Sequence, residues 1–363
     1  MTIEREGFRM ERIQEALRRK KTRAWLERSL HDPVVAWVKG GERGYWSRDD
    51  ADEEALKSRR YEIGSITKTM TGCLLASLER DGRLSREDAP AVLAPELAAS
   101  AFASKTTLAE LVSHTSGLPR LPANMRAHVR DKENPYAAYG TDALVEAVLK
   151  EPYRDGAKPS SYSNYGFGLL GWLLARSSGE PLAELLQARL FEPLGLERTT
   201  LDSDAEDGAS LRPVHRSSGA PAKPWTFGEA MAGAGAVRST APDLLRYAEA
   251  QLAAASSRET GDPVRETMRL AQTRLAGSPQ GVGIGYAWII RPEPDGSHTF
   301  WHNGGTYGSS SFLSFNPEHG AAIAVLSNRG ASAASQLAPL IGLRPMSADL
   351  LGAELGKELY RAE

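Results

Sequence analysis

Cysteine is nearly absent from this chain of 363 residues. Cys73 is the one example, so an internal disulfide is impossible and no cysteine-rich zinc site can be assembled. Neither sign of charge dominates: 44 basic and 46 acidic side chains leave a formal net charge of −2, which argues against nucleic acid or a membrane surface as partner. The cluster Arg18-Arg19-Lys20-Lys21 lies among Glu11, Glu15 and Glu27 and reads as a solvated helix face. No stretch is long and apolar enough to span a bilayer. The opening Met1-Thr2-Ile3-Glu4-Arg5-Glu6-Gly7 carries acids where a secretory signal needs a basic start and an apolar run, which leads to the expectation of a cytoplasmic protein. Internal repeats are lacking, and Gly281-x-Gly283-x-Gly285 runs into a strand rather than opening a helix, so it is no nucleotide fingerprint. No metal or cofactor is expected. Cys73 falls in the apolar pattern of a helix and reads as a buried structural thiol.

What is present is ordinary for a globular protein: 41% hydrophobic and 25% charged residues, with chain enough for one large or two modest domains. Residues from about 9 to 30 read as an amphipathic helix with Ile13, Leu17, Trp25 and Leu26 on its apolar side. Val34 to Val38 and Gly44 to Ser47 read as a hairpin turned at Gly40-Gly41. Between Ser65 and about Thr240 the pattern is helical and loop-rich, with helices over 108–112, 141–150, 165–177 and 182–191 and a long surface loop over 202–226. A helix starting at Ala241-Pro242-Asp243 follows. Strand texture then covers 283–290, 299–302, 311–315 and 321–326, and helix returns over 332–340 and 348–361. The fold class is therefore α+β. An antiparallel sheet from residues 1–64 and 241–363 is flanked by terminal helices, a mostly helical domain over 65–240 is inserted, and the site lies in the cleft between.

The chemistry concentrates in Tyr61-Glu62-Ile63-Gly64-Ser65-Ile66-Thr67-Lys68, where an extended segment opens a helix. This is the one S-x-x-K of the chain. It places Ser65 in a helix's first turn with Lys68 on the same face. An amine there can take the serine's proton, and the unpaired N–H groups of the helix start favour an oxyanion. By itself a four-residue motif is more often a cap and a solvated lysine. Two further stretches could complete the site. Tyr162-Ser163-Asn164 offers a phenol for proton transfer and an amide for Lys68 or a substrate carbonyl. His302-Asn303-Gly304-Gly305 ends a strand, and glycine there admits close backbone approach, so that the Gly305 N–H could join that of Ser65.

In this order, Ser65-Ile66-Thr67-Lys68, Tyr162-Ser163-Asn164 and His302-Asn303-Gly304 resemble the motifs of the class C β-lactamase superfamily. That superfamily also holds penicillin-binding DD-peptidases, D-amino-acid peptidases and family VIII esterases. Leu111-Val112-Ser113-His114-Thr115-Ser116-Gly117-Leu118-Pro119 is similar to a structural signature of the same group, and the resemblance spans about 61–330. It implies Ser65 as acylated nucleophile, with Lys68 and Tyr162 sharing acid and base duty. Asn164 would orient Lys68 and a substrate amide, Ser65 and Gly305 would bind the oxyanion beside Gly304, and His302 would line the pocket. His114 would cap or pack.

One departure stands out. Class C β-lactamases usually carry lysine where this chain has His302, and a histidine near its reference pKa of ~6.5 is mostly neutral at pH 7. The expectation is a serine hydrolase acting on a small-molecule ester or amide, with true β-lactamase or D-specific peptidase as the alternative. A non-catalytic penicillin-binding module is the reading from another class. If His302 recruits anions by its charge, activity on anionic substrates should rise toward pH 6.

Overall fold

A computed structural model describes residues 12–156, 158–201, 205–256, 261–331 and 347–360. Its centre is an eight-stranded antiparallel sheet in the order β2-β1-β11-β10-β9-β8-β7-β6. The hairpin β1 (Val34–Lys39) and β2 (Glu42–Ser47) forms one edge. β1 pairs directly with β11 (Ala321–Ser327), so the first strand of the chain closes onto the last. β10 (Ser310–Asn316) and β9 (His298–Gly305) continue the sheet, and β8 (Ile289–Pro292), β7 (Gly283–Ile284) and β6 (Ala276–Gly277) finish it.

The period of two along these strands sorts the core into two faces. Val35, Trp37, Ile323 and Val325 point to one face and pack with Ile13, Leu17 and Leu26 and with Leu351, Leu355 and Leu359 of the terminal helix Ala348–Tyr360. Val34, Ala36, Val38, Ala322, Ala324 and Leu326 point to the other, onto Leu244, Leu245 and Tyr247 of the helix Ala241–Ser256. Because both faces are covered, β10 and β11 are buried along their whole length.

The helix Thr67–Arg80 runs through the larger core, and every residue from Thr67 to Leu78 is buried. A helix buried on all sides must satisfy its polar side chains internally. Thr71 Oγ1 donates to Gly233 O (2.9 Å) and Thr69 Oγ1 to Ile66 O (2.9 Å). A second buried helix, Asn164–Ser178, packs on Glu229–Gly235, where Gly171 and Gly233 let the two backbones touch. No described helix is long and apolar enough to cross a membrane.

Several elements differ from the sequence reading. The stretch 283–290 is two short strands, because the chain turns tightly between β7 and β8. Ala287 has φ +70° and its N–H donates to Gly285 O at 2.9 Å. The turn lets both Tyr286 and Trp288 enter the core, which a continuous strand would also have placed on one face but without closing onto Ala271 O. The N-terminal helix is interrupted at Arg19, giving 12–18 and Lys20–Arg28; the Trp25 side chain and the helix expected over 332–340 lie outside the described residues. The loop 202–226 is anchored rather than free: β4 (Ser210–Leu211) pairs parallel with β3 (Arg59–Glu62), which also pairs with β5 (Arg238–Ser239).

Candidate active site

β3 delivers the chain to Gly64, whose φ of +48° starts a 3-10 turn over Gly64–Ile66 before the buried helix begins. Glycine is required there twice over, since a β-carbon would also meet the Gly305 N atom at 2.6 Å. The turn leaves Ser65 as a partly exposed residue between buried neighbours. Lys68, one turn on, is fully buried; its Nζ donates to Ala234 O (2.6 Å) and lies 2.9 Å from Ser65 Oγ. No carboxylate pairs with it among the described residues. Burial, assisted by the nearby Arg120 charge, holds its pKa well below the ordinary lysine value, so the amine favours its neutral form.

Tyr162 arrives from the other side. Ser163 caps the helix Asn164–Ser178: its Oγ accepts from Gly166 N (2.9 Å) and donates to Pro119 O (2.7 Å). Its N–H donates to His114 Nδ1 (3.1 Å), while the N–H groups of Asn164 and Tyr165 both reach Arg120 O (3.0 and 3.2 Å). The segment from His114 to Arg120 is thus the clamp that holds Tyr162, and the His114 ring lies 4.6 Å from the Tyr162 ring. Lys68 Nζ is 5.0 Å from the Tyr162 ring centre. Burial pushes the phenol up to about 12, against the opposing effect of its hydrogen bond with the Ser65 side chain.

The end of β9 forms the third wall. Thr306 N donates to Ser309 O (3.0 Å), and the register Ser311↔Gly304 and Ser310↔Gly305 then fixes which groups face β10. By the antiparallel alternation Gly304 faces β10 and Gly305 turns its N–H the other way. On that side β8 has already ended, its last pairing with β9 being Ile289↔Trp301. The Gly305 N–H therefore looks toward the Gly64 turn, beside the first-turn N–H of Ser65. A β-carbon on Gly304 would collide with Ile63 O and the Ser311 hydroxyl, which itself donates to Ile63 O at 2.8 Å.

Two expectations change on contact with this geometry. His302 is 1% exposed, its Nδ1 lies 2.7 Å from Asn303 O, and burial above all lowers its pKa to about 3. It lines the interior but carries no charge near pH 6, so it cannot recruit anions there. Asn164 bonds Tyr136 Oη through Nδ2 (3.0 Å) rather than Lys68, and its Oδ1 is buried without a partner among the described residues. The group that orients Lys68 is the Ala234 carbonyl, in a small-residue helix that carries no sequence signal for such a role.

The sequence reading also missed Glu62 and an aromatic wall. Glu62 is 3% exposed; it accepts from Trp225 N (2.5 Å) and from Thr306 Oγ1 (2.6 Å), tying β3 to the 225 loop and to the turn after Gly305. Burial raises its pKa, and those hydrogen bonds oppose the rise. Tyr136 and Phe227 stack at 5.0 Å, Trp225 meets Tyr136 at 5.2 Å, and Tyr307 meets Trp225 at 4.9 Å. With Asn164 bonded to Tyr136, this wall runs from the Tyr162 motif to the Gly305 turn.

Comparison with known proteins bears on the family and the fold of the chain. The Beta-lactamase family matches residues 31–343. The D-alanyl-D-alanine-carboxypeptidase/endopeptidase AmpH of Escherichia coli (strain K12) is 27% identical over 270 residues, 70% of this chain and 67% of that protein. A beta-lactamase of Lysobacter lactamgenus is 29% identical over 202 residues, 53% of this chain and 47% of that protein. Among solved structures, a class C beta-lactamase superposes with a TM-score of 0.77 at 18% identity, covering 97% of each chain. The D-alanine carboxypeptidase AmpC from Burkholderia cenocepacia gives 0.73 at 19% identity, over 96% of this chain and 99% of that one. The structural likenesses establish the fold, and the family match extends over most of the sequence. The chain belongs to the β-lactamase family and is a serine hydrolase of that family.

Proposed function

We propose that the protein cleaves a small ester or amide through an acyl-Ser65 intermediate, with Lys68 as base and Tyr162 as acid. The observation that carries this reading is Lys68: an amine buried without a carboxylate partner among the described residues, 2.9 Å from Ser65 Oγ. A lysine sealed away from counter-charge costs stability and has one evident use, as a neutral base. Ser65 Oγ attacks the substrate carbonyl carbon while its proton passes to Lys68 Nζ. The new oxyanion sits between the N–H groups of Ser65 and Gly305. As the intermediate collapses, the bond to the leaving group breaks and Tyr162 supplies that group's proton, regaining one from the Lys68 ammonium. Water then attacks the acyl carbon as Lys68 takes its proton. The bond from that carbon to Ser65 Oγ breaks, Ser65 Oγ receives the proton back through Lys68 and Tyr162, and the carboxylic acid leaves. A phenol held at about 12 is suited to give a proton, not to start as the base.

The apolar wall of Tyr136, Trp225 and Phe227 favours an acyl group with apolar or aromatic substance. A second reading, a D-alanyl-D-alanine peptide or a β-lactam as substrate, is supported by the names of the similar proteins. The buried, uncharged His302 counts against efficient β-lactam turnover. Parallel assays with p-nitrophenyl acetate and butyrate, a chromogenic cephalosporin and a D-alanyl-D-alanine peptide, each with Ser65→Ala as control, test it. Fastest turnover of the aryl esters is expected. Preference for the cephalosporin or the peptide would replace the ester reading.

A further inference from the structure

Glu62 ends β3 just before the Gly64 turn, takes no part in making or breaking bonds, and is nonetheless a carboxylate sealed in the interior. A carboxylate withdrawn from water costs stability unless donors surround it. Here two donors do. Oε1 accepts from the Trp225 N–H at 2.5 Å and Oε2 from the Thr306 hydroxyl at 2.6 Å. Neither contact can reverse. A backbone N–H only donates, and the Thr306 Oγ1 lone pairs already accept from Gly308 N (3.1 Å) and Ser309 N (3.0 Å), which leaves its proton to give. An ionised carboxylate satisfies both donors at once, and an amide of the same shape cannot.

Each contact ends on a working part of the site. Thr306 directly follows Gly305, and its hydroxyl is the hub of the turn over 306–309 that closes β9. Trp225 carries the aromatic wall, and Arg238, opposite Glu62 in the pairing of β3 with β5, donates from Nη2 to Trp225 O at 2.9 Å. The Glu62 side chain thus grips both the strand end beside Gly305 and the wall, while its backbone leads through Ile63 into the turn that presents Ser65.

We propose that Glu62 is a positioning residue that holds the Gly305 N–H and the Trp225 wall in register with Ser65. The proposal rests on the acyl-Ser65 reading and adds to it a coupling between oxyanion binding and recognition of the acyl group. A displaced Gly305 N–H weakens the bond to the developing oxyanion more than any contact with the resting substrate, so its loss falls on kcat. A displaced wall weakens the hold on a longer acyl chain, so its loss falls on the preference between esters.

The test measures kcat and KM for p-nitrophenyl acetate and butyrate in Glu62→Gln, Thr306→Val and Thr306→Ser, each checked for folding by urea unfolding. Glutamine has one acceptor oxygen, so one of the two contacts must fail. Failure at Thr306 lowers kcat on both esters by about 5- to 30-fold with KM within about twofold. Failure at Trp225 lowers the butyrate-over-acetate ratio of kcat/KM by about 3- to 10-fold. Glu62→Gln is expected to show at least one of these signatures. Thr306→Val should show the first alone, and Thr306→Ser, which keeps the hydroxyl, should regain most of the lost kcat. A folded Glu62→Gln with wild-type kcat and wild-type ester ratio overturns the proposal, and so does a Thr306→Val whose loss lies in KM. Thr306→Ser no better than Thr306→Val would mean that shape and not the hydroxyl matters, and overturns it too; this pair decides the matter should Glu62→Gln fail to fold. Each of these results leaves the hydrolase reading intact. Equal turnover of p-nitrophenyl acetate by wild type and Ser65→Ala would instead defeat the hydrolase reading, and this proposal with it.

Discussion

At the scale of single residues the account turns on a lysine whose proton is unwelcome. With Lys68 as base, activity toward neutral esters falls as pH drops through its lowered pKa, because the ammonium has no lone pair to offer. A pH–rate profile for phenyl acetate should show that acid limb, with no rise toward pH 6 from His302. Arg120 adds to the repulsion that lowers the Lys68 value, so Arg120→Ala should move the limb to higher pH. A limb that stays in place would show that the two charges do not interact. His302→Lys places an ammonium in a fully buried position beside Lys68. It is expected to cost about 2–3 kcal/mol of stability by urea unfolding and to give no gain in cephalosporin acylation. A stable variant with faster acylation would show that the interior admits the charge.

At the scale of elements, the site depends on how closely β9 approaches the Gly64 turn. Gly304→Ala forces a methyl group onto Ile63 O and Ser311, and the strand can answer only by moving away from Ser65. A loss of about 1–3 kcal/mol in stability is expected, with a fall in kcat larger than any change in KM. Wild-type kcat in this variant would mean that the Gly305 N–H is not part of the oxyanion site. Elements also show where the sequence was legible. Alternation placed β1, β9, β10 and β11 correctly, since each presents one face to each core. It misread 283–290 because Tyr286 and Trp288 keep the right parity while the backbone turns between them at Ala287. The helix Glu229–Gly235 escaped notice because its sequence is small residues whose signal is backbone contact with Gly171, not amphipathic spacing. With it went the Ala234 carbonyl.

At the scale of the whole molecule, three remote stretches meet because the first strand closes onto the last and the buried Thr67–Arg80 helix packs against the helices Asn164–Ser178, Glu229–Gly235 and Pro263–Ala271. The motif order made Ser65, Lys68 and Tyr162 readable. Arg120, Glu62 and the aromatic wall were not, since their placement comes from loop contacts that no periodicity encodes. Global stability carries the mark of this arrangement. The unfolded chain protonates Lys68 below its ordinary pKa of 10.5, whereas the folded chain sheds that proton, so protonation of the unfolded state weakens folding across the window between the lowered value and 10.5. Stability should therefore rise with pH through that window on this residue's account. Lys68→Met, which removes the effect, is expected to be inactive yet more stable than wild type at pH 7, with the difference shrinking toward pH 10.5. A variant less stable at pH 7 would show that the amine is held charged.

The most direct measurement is intact-mass and peptide-mapping spectrometry of the enzyme quenched during turnover of p-nitrophenyl butyrate. The account predicts a single butyryl group on the peptide containing Ser65, absent from Ser65→Ala, with the rate of that variant down by at least about a thousandfold. An adduct on another residue, or matching rates in the two proteins, would contradict it.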